Sequence, residues 1–226
     1  VGQPQESNEK LVFCIPAQPV DVEDTDFDVG YHEDVIRSVF AEMGYDAKSV
    51  NEAEALCYSE LENEDYTGVC ISAGSGMQNI CVMLNGEPTV MFSTVKSGDF
   101  VDRMAAVATG EKDTVVQAEK EGGGFEVGQP NDNPILSAVA AYYERLIDYT
   151  TKHLSEALRN HKSMPKFKEP LTIVVAGGTS LAKGYVDMFH KKLIENNFPL
   201  PIKEIRHASD PLHAVSKGCL IASKVL

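Results

Sequence analysis

The chain has 226 residues and a mass of 24.6 kDa, which corresponds to one large domain or two small ones. Its 43% hydrophobic and 24% charged residues are typical of a globular protein and exclude a wholly disordered chain. Twenty Lys and Arg residues against 34 Asp and Glu residues give a formal net charge of −14. This acidity argues against binding to nucleic acid or anionic lipid, because both depend on clustered basic side chains.

The cysteine content and the polar start of the chain favour a cytoplasmic protein. The number of cysteines is odd, and no two of them are spaced as a CxxC pair. Reduced thiols are therefore favoured over a disulfide framework. Residues 1–10 are polar and are not expected to act as a signal peptide, and no apolar run approaches the ~18 residues of a membrane span. The cysteines are Cys14, Cys57, Cys70, Cys81 and Cys219.

The first 67 residues show a β-α-β-α pattern, which is too short for an independent domain and predicts part of one. The acidic residues 18–30 between its first two elements are predicted to form a solvated loop, with metal binding as the weaker alternative. Apolar runs and helical spacing predict the elements. They are strands at 11–15 and 47–50 and helices at 35–43 and 53–61.

Residues 68–226 predict a second domain with the order β-β-β-α-insertion-α-β-α-β-α. Asn85-Gly86 is a strong hairpin signal, and Asn133-Pro134 is a typical helix start. The polar, Gly-rich residues 109–132 are predicted to be a small insertion with one helix near 111–121. The fold class is therefore α/β, with a mixed sheet flanked by helices. Strands are predicted at 69–71, 80–84, 90–95, 171–175 and 202–205, and helices at 99–108, 136–158, 181–193 and from Asp210-Pro211 onward.

Two glycine turns, 71–77 and 174–180, each follow a short apolar strand. Glycine lets a phosphate approach backbone N–H groups, so such turns bind anions without basic side chains. The second turn is predicted to open a helix, whose N-terminus would also favour an anion. The alternative for either turn, taken singly, is a tight connection without a ligand. The chain has no P-loop, GxGxxG, GxSxG or HExxH motif.

The order of these segments resembles the actin, Hsp70 and sugar kinase superfamily, and most closely the MreB-like bacterial actin homologues. The resemblance covers nearly all of residues 11–224 and rests on five segments in the family's order. They are the strand ending in Pro16-Ala17, the Asn51-Glu-Ala-Glu-Ala55 segment, Gly74-Ser-Gly76 with the following hairpin and Asp99, Ala176-Gly-Gly-Thr-Ser180 with Gly184, and Asp210-Pro-Leu-His-Ala-Val215 with Gly218.

This resemblance implies an RNase H-like, actin-like ATPase fold that binds ATP or ADP with Mg²⁺ in a cleft. Glu52 matches the acidic residue that positions the attacking water, although a helix cap or surface carboxylate explains it equally well. Glu119 and Lys120 in the insertion are weak candidates for adenine contacts. The residues implied at the phosphates and ribose are Ser72, Gly74, Ser75, Gly76, Met77, Gly177, Gly178 and Thr179.

Two departures from the family pattern put hydrolysis in doubt. Ser72 stands where the family has a metal-site Asp, and a hydroxyl is a weaker partner for hydrated Mg²⁺. The family's first phosphate hairpin has no counterpart before Leu11. We favour a chain that begins inside a longer protein over a molecule without half of its phosphate clamp.

The resemblance implies a filament-forming, nucleotide-binding protein of the cytoskeletal type, with slow ATP hydrolysis and self-association as its main interaction. No nucleic acid and no small-molecule substrate besides the nucleotide are expected, and no membrane interaction is evident from the sequence. The alternative is a non-polymerising, Hsp70-like protein or a degenerate pseudo-ATPase that acts as a scaffold. A sugar kinase is the third possibility, and it would need a catalytic Asp that we do not identify.

Overall fold

A computed structural model describes residues 2–6, 8–22, 29–162 and 167–225. The strands are β1 (Glu9–Ile15), β2 (Tyr45–Asn51), β3 (Gly68–Ala73), β4 (Gln78–Leu84), β5 (Glu87–Thr94), β6 (Leu171–Ala176) and β7 (Ile202–His207). The helices are α1 (Val29–Glu42), α2 (Glu52–Glu60), α3 (Gly98–Thr109), α4 (Asp113–Gly122), α5 (Pro134–Asn160), α6 (Tyr185–Glu195) and α7 (Ala214–Val225). Two short 3₁₀ turns cover Glu62–Glu64 and Gly178–Leu181.

A five-stranded mixed sheet with the order β5-β4-β3-β6-β7 forms the centre of the molecule. The β3-β4 and β4-β5 pairs are antiparallel, whereas β3-β6 and β6-β7 are parallel. The hairpin between β4 and β5 turns at Asn85 and Gly86, whose φ angles are +50° and +83°. Positive φ at both positions is what a tight two-residue hairpin requires. The predicted α/β fold with a mixed sheet is confirmed.

Helices cover both faces of this sheet, which explains why all six residues of β3 and of β6 are buried. Successive strand residues point to opposite faces. Val69 and Ile71 therefore face α3, α5 and α6, while Cys70 faces α2 and α7. The 27-residue helix α5 starts at its Asn133 cap and is about 40 Å long.

A separate two-stranded parallel sheet pairs β1 with β2. Helix α1 lies against it and has no buried residues. Helix α2 follows β2 directly, but it packs on the five-stranded sheet beside α7. The domain boundary at residues 67/68 stays a prediction. Helix α2 precedes this boundary in the sequence, but it packs into the core formed by residues that follow it.

Two local predictions of helix starts differ from the structure. The last helix begins at Ala214 and not at Asp210-Pro211, because residues 210–213 form a turn closed by the Ala214 N–H bond to the Asp210 carbonyl. The turn at Gly177 leads into a four-residue 3₁₀ turn, and α6 starts only at Tyr185. The prediction that the second glycine turn opens an α-helix is therefore wrong, because residues 178–184 separate this turn from α6.

The acidic loop is only partly described, since Glu23, Asp24, Asp26 and Asp28 lie outside the described residues. Its described acidic residue, Asp21, is not merely solvated. The Asp21 carboxylate accepts hydrogen bonds from the Val95 N–H at 2.9 Å and from the Tyr149 hydroxyl at 3.0 Å. These bonds fasten the start of the loop to the end of β5 and to α5. Among the described helices, none has the length and apolar character needed to cross a membrane.

Candidate functional site

The two glycine turns predicted to bind phosphate lie side by side. Strands β3 and β6 are parallel neighbours, with Ser72 opposite Ala176, so both turns leave the sheet at the same edge. Ligands of open α/β sheets commonly bind outside this carboxyl edge. Gly177 has φ +88°, and a Cβ atom there would lie 2.3 Å from the Ala73 carbonyl oxygen. Only glycine permits this approach, which brings the two turns into contact.

The carbonyl oxygen of Gly74 joins three segments at this edge. It accepts hydrogen bonds from the Thr179 hydroxyl at 2.7 Å, from the Gly98 N–H at 3.4 Å and from the Ser97 hydroxyl. The Asp99 N–H also donates to the Ser75 carbonyl at 2.8 Å. The first turn is thereby fixed to the start of α3 and to the second turn.

The outer side of both turns is open. Ser75, Gly76 and Gly178 are exposed, and a Cβ atom at Gly76 or Gly178 would meet no heavy atom within 4 Å. Within the described ranges, the Ser75 and Gly76 N–H groups donate to no protein acceptor. The Gly74 N–H instead closes the turn onto the Met77 carbonyl at 3.0 Å. Unpaired amides on an open glycine turn can receive an anion.

A cavity of about 770 Å³ lies beside Gly178. Leu181 and Lys183 line its wall next to the second turn, and Phe125 and Tyr143 contribute aromatic surface. The rest of the lining includes residues of the predicted insertion, among them Gly123, Gly124 and Asn131. The volume and the mixed apolar and polar lining suit a ligand of nucleotide size.

The two insertion residues predicted at the adenine differ in position. Lys120 lines the cavity, but its ammonium group is paired with Asp102 at 2.6 Å, and only 14% of the Lys120 side chain is exposed. Burial raises the pKa of Asp102 above its ordinary value, against the opposing effect of Lys120. Glu119 is exposed, accepts a hydrogen bond from Asn133 at 3.3 Å and is absent from the cavity lining. The structure does not bring Glu119 to the other site residues.

Glu52 and Ser72 meet at the start of α2. The Ser72 hydroxyl donates to the Glu52 carboxylate at 3.1 Å, which brings the predicted acidic residue to the end of β3. Asn51 caps α2 by accepting a hydrogen bond from the Ala53 N–H at 2.8 Å, and Glu54 completes a capping box. This cap fixes the backbone of Glu52. The position of Glu52 therefore fits a structural carboxylate at the helix start as well as a carboxylate that positions an attacking water.

Asn79 is a site residue that the sequence-based prediction missed. It is buried opposite Ser72 on β4, and its side-chain oxygen accepts from Asn51 at 3.1 Å and from the Ala17 N–H at 2.9 Å. Its Nδ2 is buried without a partner among the described residues. The Asn51-x-x-Glu54 capping signature was available in the sequence, but nothing there indicated the Asn51–Asn79 pair.

The described residues offer no ready-made metal cage, because no group of three or more His, Cys, Asp or Glu side chains converges on one point in these ranges. At the end of β3, the Glu52 carboxylate and the Ser72 hydroxyl offer two oxygen atoms that lie 3.1 Å apart. Mg²⁺ is often held by one or two carboxylates together with substrate phosphates. A metal here would therefore take most of its ligands from a bound phosphate and from water.

Solved structures with the same fold include MamK in a double helical filament, with a TM-score of 0.73 and 19% identity over 96% of this chain and 69% of that chain. MreB5 of Spiroplasma citri bound to AMPPNP has a TM-score of 0.69 and 19% identity over 97% of this chain and 69% of that chain. The ethanolamine utilization protein EutJ from Carboxydothermus hydrogenoformans has a TM-score of 0.56 and 19% identity over 82% of this chain. The chain spans 59% of the EutJ chain.

These similarities show the fold of the actin-like ATPase superfamily and confirm the resemblance to MreB-like bacterial actin homologues. No curated protein matches the sequence. A family model described as Volactin matches residues 1–223, almost the whole length of the sequence. The chain therefore belongs to the Volactin family.

Proposed function

We propose that the chain is part of a cytoplasmic, actin-like protein that binds ATP or ADP at the edge formed by β3 and β6. The observation that carries this proposal is the contact between two glycine turns, with open amides on one side and the cavity beside Gly178 on the other. The chain has a net charge of −14 and few basic side chains to bind an anion, so backbone amides supply the anion site. The fold shared with AMPPNP-bound MreB5 supports the choice of ligand.

Each turn has a distinct role in this proposal. The amides of Ser75, Gly76 and Met77 hold the terminal phosphates, while Gly177, Gly178 and Thr179 lie along the ribose and α-phosphate. The base enters the cavity between the second turn and the insertion. Glu52 orients the water that attacks the terminal phosphate, and Mg²⁺ would stabilise charge on the phosphates.

Nucleotide binding is tested by substitutions at Gly178, where a side chain has room. Gly178→Asp places a carboxylate at the phosphates and is expected to reduce ATP affinity by at least tenfold, measured by isothermal titration calorimetry. Gly178→Asn has nearly the same shape without the charge and is the matched control. Equal ATP affinities for the Asp and Asn variants would contradict the placement of phosphate at this turn.

We further propose self-association into filaments with slow ATP hydrolysis. The filament in which MamK was solved supports this part of the proposal. Sedimentation and light scattering with ATP, with ADP and without nucleotide are the direct tests. A protein that binds ATP but stays in the supernatant at all concentrations tested would contradict polymerisation and leave nucleotide binding standing.

A second candidate function is a degenerate, non-polymerising scaffold that binds nucleotide without hydrolysing it. The specific observation in its favour is Ser72, whose hydroxyl donates to Glu52 where the family pattern has a metal-site Asp. A hydroxyl supplies no charge to hold hydrated Mg²⁺. Nucleotide binding without measurable phosphate release would favour this candidate over a filament-forming ATPase.

A further inference from the structure

Cys14 on β1 and Cys219 on α7 bring their sulfur atoms to 3.0 Å across a sequence separation of 205 residues. Both residues are half-buried and both are free thiols. The two sulfur atoms of a disulfide are about 2.0 Å apart. Rotation of the side chains must therefore shorten the distance between the Cys14 and Cys219 sulfurs by about 1 Å.

The packing of α7 holds this pair in place. Next to Cys219, Gly218 lies so close to α2 that a Cβ atom there would be 1.8 Å from the Ala55 carbonyl oxygen. Cys14 is fixed from the other side, because it pairs with Val50 in the two-stranded sheet. The contacts of β1 and α2 with α7 therefore hold the backbones that carry the two cysteines next to each other.

The remaining three cysteines provide an internal contrast. Cys57, Cys70 and Cys81 are fully buried between the five-stranded sheet and α2. Burial raises the pKa of the Cys57 and Cys70 thiols. Thiols in such surroundings are inert, since the thiolate is the reactive form and needs access to the reagent.

The two half-buried thiols differ in acidity. The hydrogen bond between the two thiols lowers the pKa of Cys219 and raises the pKa of Cys14. The negative charge of Glu52 acts in the opposite direction on Cys219, but it is the smaller effect. Cys219 is accordingly the attacking sulfur, and Cys14 is the sulfur that resolves the intermediate.

We propose that Cys14 and Cys219 form an intramolecular disulfide when the protein meets hydrogen peroxide. The Cys219 thiolate attacks one peroxide oxygen, the O–O bond breaks, and hydroxide leaves and takes up a proton to become water. Cys219 is then a sulfenic acid. The Cys14 sulfur attacks the sulfenic sulfur, the S–S bond forms, and a second water leaves. Two thiols are oxidised by two electrons and one peroxide is reduced to two waters.

The bond would join the two-stranded sheet covalently to the helix that packs on the five-stranded sheet. A cross-link over this long a loop restricts the unfolded chain strongly. We therefore expect the oxidised protein to melt about 5 °C or more above the reduced protein. This inference does not depend on nucleotide binding. Failure of the disulfide to form would leave the proposed nucleotide site untouched, and failure to bind nucleotide would leave the disulfide untouched.

The experiment treats the reduced chain with hydrogen peroxide at micromolar to millimolar concentration, followed by alkylation in denaturant and mass spectrometry. The expected product loses the mass of two hydrogen atoms, retains three alkylatable thiols and yields a Cys14–Cys219 peptide that dithiothreitol cleaves. Cys14→Ser and Cys219→Ser are each expected to abolish this product and the rise in melting temperature. Cys14→Ala repeats the test if the serine variant folds poorly.

The competing outcomes overturn the proposal. Five alkylatable thiols after peroxide treatment would mean that the pair does not react. Separate sulfinic acids would mean that Cys14 does not resolve the intermediate. A disulfide between two molecules, or one that involves Cys57, Cys70 or Cys81, would mean that proximity in the folded chain does not direct the oxidation.

Discussion

Replacing Gly177 with alanine tests the contact on which the candidate site is built. The residue has φ +88° and ψ 157°, a region that is nearly reserved for glycine. An L residue held there costs about 1–3 kcal/mol. The new Cβ would also lie 2.3 Å from the Ala73 carbonyl oxygen and 3.1 Å from the Ala73 nitrogen. Both atoms belong to the backbone, so neither can turn aside as a flexible side chain could.

Relief of that overlap requires β3 and β6 to separate at their carboxyl ends, which adds about 1–3 kcal/mol as in other overpacked interiors. The expected loss in the free energy of unfolding is therefore about 2–6 kcal/mol. Small domains have about 5–15 kcal/mol in total, so Gly177→Ala should retain the fold at low temperature with much reduced stability.

Urea unfolding followed by far-ultraviolet circular dichroism measures this loss. Gly178→Ala is the matched control, because the neighbouring position is exposed and its Cβ meets nothing within 4 Å. The control is expected to stay within about 1 kcal/mol of the parent protein. If Gly177→Ala were as stable as Gly178→Ala, the close approach of the two turns would be refuted, and with it the shared anion site.

Four further predictions concern carboxylates that are present at the site or are introduced there. Glu52→Gln is expected to lower the rate of phosphate release by at least tenfold with ATP affinity nearly unchanged; an unchanged rate would make Glu52 structural. Ser72→Asp is expected to make ATP hydrolysis more dependent on Mg²⁺, and a Mg²⁺ titration that matches the parent would count against the degenerate site. Lys120→Met leaves Asp102 buried and unpaired, and is expected to cost about 3 kcal/mol in urea unfolding at neutral pH. Because burial raises the pKa of Asp102, the folded state binds the proton more tightly than the unfolded state, so this group makes stability fall as pH rises above 3.8. Asp102→Asn should remove that part of the slope at pH values above about 4, and identical slopes for the variant and the parent protein would contradict this prediction.

The sequence predicted the central fold well because strong local signals agreed with it. The run of apolar residues at β3, the Asn85-Gly86 turn and the Asn133-Pro134 helix start each have one favoured structure, and the structure contains all three. The helix starts after Gly177 and Asp210 were wrong because short turns share capping residues with longer helices. Local sequence does not distinguish an isolated turn from the first turn of an α-helix.

The site was predictable only in part, for a physical reason. Glycine turns are visible in the sequence, so the two turns were identified and the structure brings them together. The Asn51–Asn79 and Cys14–Cys219 pairs depend on contacts between segments 28 and 205 residues apart. Such pairs follow from tertiary packing, and neither partner carries a local pattern that reveals the other.

The single carbonyl oxygen of Gly74 has a mechanical consequence. An oxygen with two lone pairs receives three donors here, from α3, from the residue before α3 and from the turn after β6. Displacing it strains all three bonds at once, so these segments should move as one rigid block when a ligand arrives or leaves. The part of the site that can move separately is then the opposite wall of the cavity, around Gly123 and Gly124. Nucleotide binding should therefore change amide hydrogen exchange in this wall more than in the segments bonded to the Gly74 carbonyl.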